Sequence, residues 1–102
     1  MAANKNSVFE FYQCRIPSGG EDLLSIIGRE LKELEGCRRE GVGEYSMTHY
    51  CKRIGVIIEP SKRNNERFLT LGVYHNGAGV PLKLAQVIER YNFQRTTGII
   101  LE

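Results

Sequence analysis

The sequence predicts a single α+β domain, and three observations carry that expectation. First, 102 residues that are 41% hydrophobic and 25% charged can bury an ordinary core, since a chain of this size hides roughly 60 to 70% of the surface its unfolded form exposes. Second, β-prone runs alternate with two stripes of apolar residues at helical spacing. Third, no repeat, linker or low-complexity tract divides the chain, so one domain spans 1–102, with residues 1–6 expected to be flexible.

Residues 8–16 (Val-Phe-Glu-Phe-Tyr-Gln-Cys-Arg-Ile) place apolar or aromatic side chains on both alternating faces, which predicts an inner strand. Pro17 ends it. Ser18 and Glu21 have the Ser-x-x-Glu spacing of a capping box, in which hydroxyl and carboxylate satisfy the orphan amides at a helix start. The stripe Leu23, Leu24, Ile27, Leu31 and Leu34 then predicts a helix that Gly36 terminates and Gly28 weakens slightly. From Val42 to Pro60 lies a β-prone stretch, with Tyr45, Met47, His49 and Cys51 on one face. It reads as one bent strand or two, and Gly55 offers a place for the bend.

Pro60 to Arg67 is polar turn chemistry, and Phe68 to Tyr74 alternates Leu69, Leu71 and Val73 against Phe68, Thr70, Gly72 and Tyr74. The two β segments flanking that turn are expected to form a hairpin. Behind Pro81, the stripe Val80, Leu84, Val87, Ile88 and Tyr91 predicts a second helix, and Thr97 to Leu101 predicts a closing strand. Counting 42–60 once gives a ferredoxin-like βαββαβ antiparallel sheet with both helices on one face. The alternative is a five-stranded α+β sheet with an extra strand at 42–50.

Either layout leaves one sheet face without helices. If Leu69, Leu71 and Val73 look toward the helices, Phe68 and Tyr74 look away, and Phe9 and Phe11 are their expected companions on the first strand. Exposed rings in a group mark an interface or binding site. The sequence therefore reads as a noncatalytic binding or regulatory module, a homodimer that engages a protein partner or small ligand through Phe9, Phe11, Phe68 and Tyr74. A second candidate is the loop His75, Asn76, Gly77, Gly79, whose amides precede a helix and could hold an anion, although no nucleotide motif is complete there.

Two other function classes compete. Residues 38–67 carry seven cations against four carboxylates, so Arg53, Lys62, Arg63 and Arg67 beside stacking rings would suit single-stranded nucleic acid. Yet Arg67 to Tyr74 lacks the third-strand motif of RNA-recognition domains. A dimeric-barrel enzyme would instead turn Tyr45, His49 or Cys51 into a cavity. Core packing is the simpler reading of Cys14 and Cys51, the acidic stretch 21–35 reads as a solvated helix face, and no ligand spacing suggests a metal or other cofactor. Three cysteines without a pairing pattern, no apolar run long enough for a membrane span and no apolar signal core at the start predict a cytoplasmic protein.

Overall fold

The computed structural model describes residues 8–16, 22–49, 52–77 and 79–96. The elements in chain order are β1 (Val8–Arg15), α1 (Leu23–Glu33), β2 (Arg38–Gly41), β3 (Glu44–His49), β4 (Lys52–Arg63), β5 (Glu66–His75), α2 (Leu82–Arg90) and β6 (Gln94–Thr96). The strands form one antiparallel sheet in the order β2-β3-β4-β5-β1-β6. The protein is thus α+β, but the four-stranded ferredoxin-like plan is corrected. Of the five-stranded alternative, the separate strand at 42–50 is present as β3, and the strand count is corrected to six among the described residues. Two strands, β2 and β3, lie between α1 and β4 and extend the sheet beyond it.

The stretch expected to start at Val42 instead turns there. Val42 is 88% exposed, and Gly43, at φ +74°, lies so close to β4 that a Cβ on it would stand 2.7 Å from the Ile58 carbonyl oxygen. Only glycine satisfies both demands at that position. The β4–β5 hairpin is longer than its apolar pattern, because the strands run on through polar residues to Asn64 and Asn65. Both asparagines have positive φ, as a two-residue type I′ turn requires.

Pro60 sits inside β4 without breaking a rung. The Ile58 amide donates to the Gly43 carbonyl on the β3 side, so the nitrogen two residues on points to that same side, past the start of β3. Proline's missing donor falls where, among the described residues, no strand pairs with β4 on that side.

Register puts Tyr12 opposite Leu71, Ile58 opposite Leu71 on the other side, and Tyr45 opposite Val56. These residues share the helical face. Ile27 and Leu31 of α1 and Leu84 and Val87 of α2 close over Ile54, Val56, Leu69, Leu71 and Val73 in one core, with Cys14, Cys37, Tyr45, Met47, Ile58 and Phe93 at its margin. Each fully buried aliphatic side chain contributes about 1.5–3 kcal/mol. Helix α1 ends at Glu33, earlier than the expected stop, since Leu34 is already extended; Gly36, at φ +79°, belongs to the turn that follows. Its first described flank is Asp22, which accepts a hydrogen bond from Ser25 Oγ. The expected Ser18–Glu21 capping box, the strand at Thr97–Leu101 and residues 1–6 lie outside the described residues. Gly28, in the middle of α1, is buried, and a Cβ there would meet the Tyr45 hydroxyl at 2.6 Å.

Candidate functional site

The parity of β5 is the one expected. Leu69, Leu71 and Val73 are fully buried beneath the helices, while Phe68 and Tyr74 project from the opposite face and retain partial exposure. β1 pairs directly with β5, Phe9 opposite Tyr74 and Phe11 opposite Gly72. Phe9 therefore stacks on Phe11 with ring centroids 5.6 Å apart and meets Tyr74 at 4.9 Å in a tilted arrangement. Phe11 lies over Gly72, so close that a Cβ there would stand 3.2 Å from the ring. Glycine is needed because the ring occupies the space above the strand.

Phe68 belongs to the same face but not to this cluster. Six residues along β5 separate it from Tyr74, roughly 20 Å at strand rise, and it stands opposite Arg15 and Ser61. The cluster gains a member that sequence reasoning missed. Ile57, opposite Gly72, is 40% exposed, and Phe9 is 53% exposed. Ile54, Val56 and Ile58 occupy the buried parity of β4, so period two alone assigns Ile57 to the open face.

Beside the rings, Gly55 floors a groove of about 440 Å³ whose far wall is a polar network. Ser46 Oγ donates to Glu40 Oε2 at 2.6 Å, and Arg53 Nη2 reaches the same carboxylate oxygen at 2.8 Å. The Ser46 hydroxyl, with Arg53 and Arg38 nearby, holds the Glu40 carboxyl below the usual glutamate range. Across the face, Arg15 pairs with Glu66.

Of the four cations expected to accompany the rings, Arg53 does so, lining the groove with Phe9 and Tyr74, and the other three are placed elsewhere. Arg53 is tied to Glu40. Lys62 and Arg67 oppose each other near the hairpin tip on the parity of Pro60 and Leu69, the helical side, and Arg63 stands at the tip opposite Glu66. None of the three flanks Phe9, Phe11 and Tyr74.

The loop after β5 uses its own amides. His75 is 2% exposed, and its Nδ1 accepts hydrogen bonds from the Gly77 and Gly79 amides at 3.0 and 3.3 Å. Nδ1 being an acceptor, Nε2 carries the proton and donates to Glu10 Oε2 at 2.9 Å. The Tyr12 hydroxyl donates to Glu10 Oε1 at 2.6 Å, which lowers the Glu10 carboxyl, aided by His75, against a partial desolvation that raises it. Tyr12 is pushed up to about 12 by burial and by that carboxylate. Gly77 and Gly79, expected to offer amides to an anion, instead offer them to the imidazole. Asn76 Oδ1 is buried without a hydrogen-bond partner. The signal for this network was present: Glu10 shares the core-facing parity of Tyr12 and Cys14, and His75 that of Val73.

Tyr45 is buried between the sheet and α1. The side chain of His49 and all of Cys51, and with them the expected pairing on one strand face, lie outside the described residues. Among the described residues, no three histidine, cysteine or acidic side chains gather as a metal site, and no helix is long and apolar enough to cross a membrane. Cys14 and Cys37 are buried free thiols. Comparison with family models, with curated proteins and with solved structures finds no match.

Proposed function

We propose that this protein is a noncatalytic interaction module that associates with a second copy of itself through the helix-free sheet face. The observation that carries the reading is the exposed cluster Phe9, Phe11, Tyr74 and Ile57 over the glycine floor of β4 and β5. Apolar groups in such a contiguous patch gain by leaving water. The six strands hold 43 residues, which at a rise of about 3.3 Å and a strand spacing of about 4.8 Å give a face of about 700 Å², close to the size one partner contributes to a specific interface.

Charge favours a copy of the same chain. Arg15, Arg38 and Arg53 each have a glutamate partner on that face, so two such surfaces meet without net repulsion. A polyanion would have to displace those glutamates first. This weakens the nucleic-acid reading relative to self-association.

The test is sedimentation of the full chain beside Phe9→Ser/Tyr74→Ser. The wild type is expected to sediment as a dimer at micromolar concentration and the double variant as a monomer with an unchanged circular dichroism spectrum. A monomeric wild type, or a variant that still dimerises, would overturn the proposal.

A further inference from the structure

We infer that the groove between α1 and the β2–β3 turn is a binding site for a small organic anion, a phosphate or carboxylate head carried on an apolar body. The groove lies on the helical side of the sheet, away from the ring cluster, and has a volume of about 500 Å³. That is the size of a small-molecule site.

Its walls concentrate positive charge. Arg29 and Lys32 come from α1 and Arg39 from β2, while Glu59 is the one acidic residue among the described residues of the lining, and its place opposite Thr70 puts its side chain on the other sheet face. Among the described residues Arg15, Arg38, Arg53, Lys83 and Arg90 have glutamate partners, while Lys52, Lys62, Arg63, Arg67 and Arg95 are exposed without one. The groove differs from those scattered positions in gathering three cations around one cavity. Among the described residues, none of the three groove cations forms an ion pair. Arg39 is held in place by its Nε donating to the Gly41 carbonyl at 3.1 Å, which leaves the two terminal nitrogens of the guanidinium for a ligand. Like charges gathered from opposite walls repel, and an anion between them relieves that repulsion while accepting charge-assisted hydrogen bonds.

The apolar half of the ligand follows from the other lining groups. Val42 stands at the mouth, 88% exposed, and Ile58 and Pro60 form the wall beneath it. An exposed valine at a turn tip, beside three cations, suits a molecule with both characters. An inorganic ion would leave that surface wet.

The probe is phenyl phosphate, titrated into the full chain by calorimetry and by amide chemical shifts. Saturable one-to-one binding is expected, tighter than for inorganic phosphate and absent for benzyl alcohol, with shifts at Gly28, Val42 and Gly43. Arg29→Gln/Arg39→Gln should weaken it at least about tenfold, while Lys62→Gln/Arg63→Gln at the hairpin tip leaves it unchanged. All four positions are exposed, so the fold should survive, and thermal midpoints check that it does. Absence of saturable binding, equal affinity for benzyl alcohol, indifference to the groove substitutions, or an equal loss from the hairpin substitutions would each overturn the assignment.

Discussion

Replacing Gly28 with alanine sets two opposed effects against each other, and the structure decides between them. Alanine is favoured over glycine inside a helix by about 0.8–1.0 kcal/mol. Here the added methyl would stand 2.6 Å from the Tyr45 hydroxyl oxygen, well inside van der Waals contact. Tyr45 is 7% exposed and packed against the core, so it has little room to retreat, and overpacking of that kind costs about 1–3 kcal/mol. Gly28→Ala is therefore expected to destabilise by about 1 kcal/mol. In a Tyr45→Phe background the nearest atom becomes Cζ at 3.7 Å, an ordinary contact, and the same substitution should stabilise by about 1 kcal/mol. The coupling between the two sites is then about 2 kcal/mol. Urea denaturation of the four proteins of the cycle measures it, and a 1 kcal/mol change should move the thermal midpoint by about 4–8 °C. If Gly28→Ala were to stabilise both backgrounds equally, the contact would carry no energy and the account of this glycine would be wrong.

Two further outcomes follow from the buried polar groups. Glu10 has a carboxyl lowered below its ordinary 4.5, chiefly by the Tyr12 hydroxyl. A lowered folded value contributes stability above the unfolded pKa that is lost as pH falls through the folded one. Denaturant midpoints should drop on acidification below that range in the wild type and drop less in Glu10→Gln, and parallel acid limbs would contradict this. Burial pushes the Cys14 thiol up to about 11 and raises Cys37 as well, so both should resist iodoacetamide at neutral pH until the chain unfolds. Peptide mass spectrometry checks that, and rapid labelling of either in the native protein would refute it.

How much of this was legible in the sequence depends on where burial writes a pattern. β5 could be read because Leu69, Leu71 and Val73 are buried while their neighbours are not, and that alternation also fixed the direction of Phe68 and Tyr74. β1 was recognisable as an inner strand, since Cys14 and Tyr12 face the core while Phe9 and Phe11 pack on the other side. β2 was invisible. Its residues Arg38, Arg39 and Glu40 are all exposed, and an edge strand with charged side chains has no hydrophobic period to detect. The same blindness hid the outer part of the β4–β5 hairpin, where Lys62 to Arg67 pair beyond the end of the core.

The candidate site was legible as a face but not as a cluster. Parity assigns rings to a side of the sheet, whereas strand order decides which of them meet. Phe9 touches Tyr74 because β1 lies beside β5, a pairing between residues 65 positions apart. The partner of His75 is equally distant in sequence, and that of Arg53 lies 13 positions away, and Glu10 and Glu40 reach them only through the assembled sheet.

Pro60 has a consequence for assembly beyond the rung it spares. It sits where β4 outruns β3, a stretch whose hydrogen-bonding groups would otherwise invite an incoming strand, and it withholds the donor such a strand would need first. The arginines of β2 guard the next margin with charge. Growth of the sheet sideways along this border is discouraged twice over, which disfavours fibre-like edge joining there.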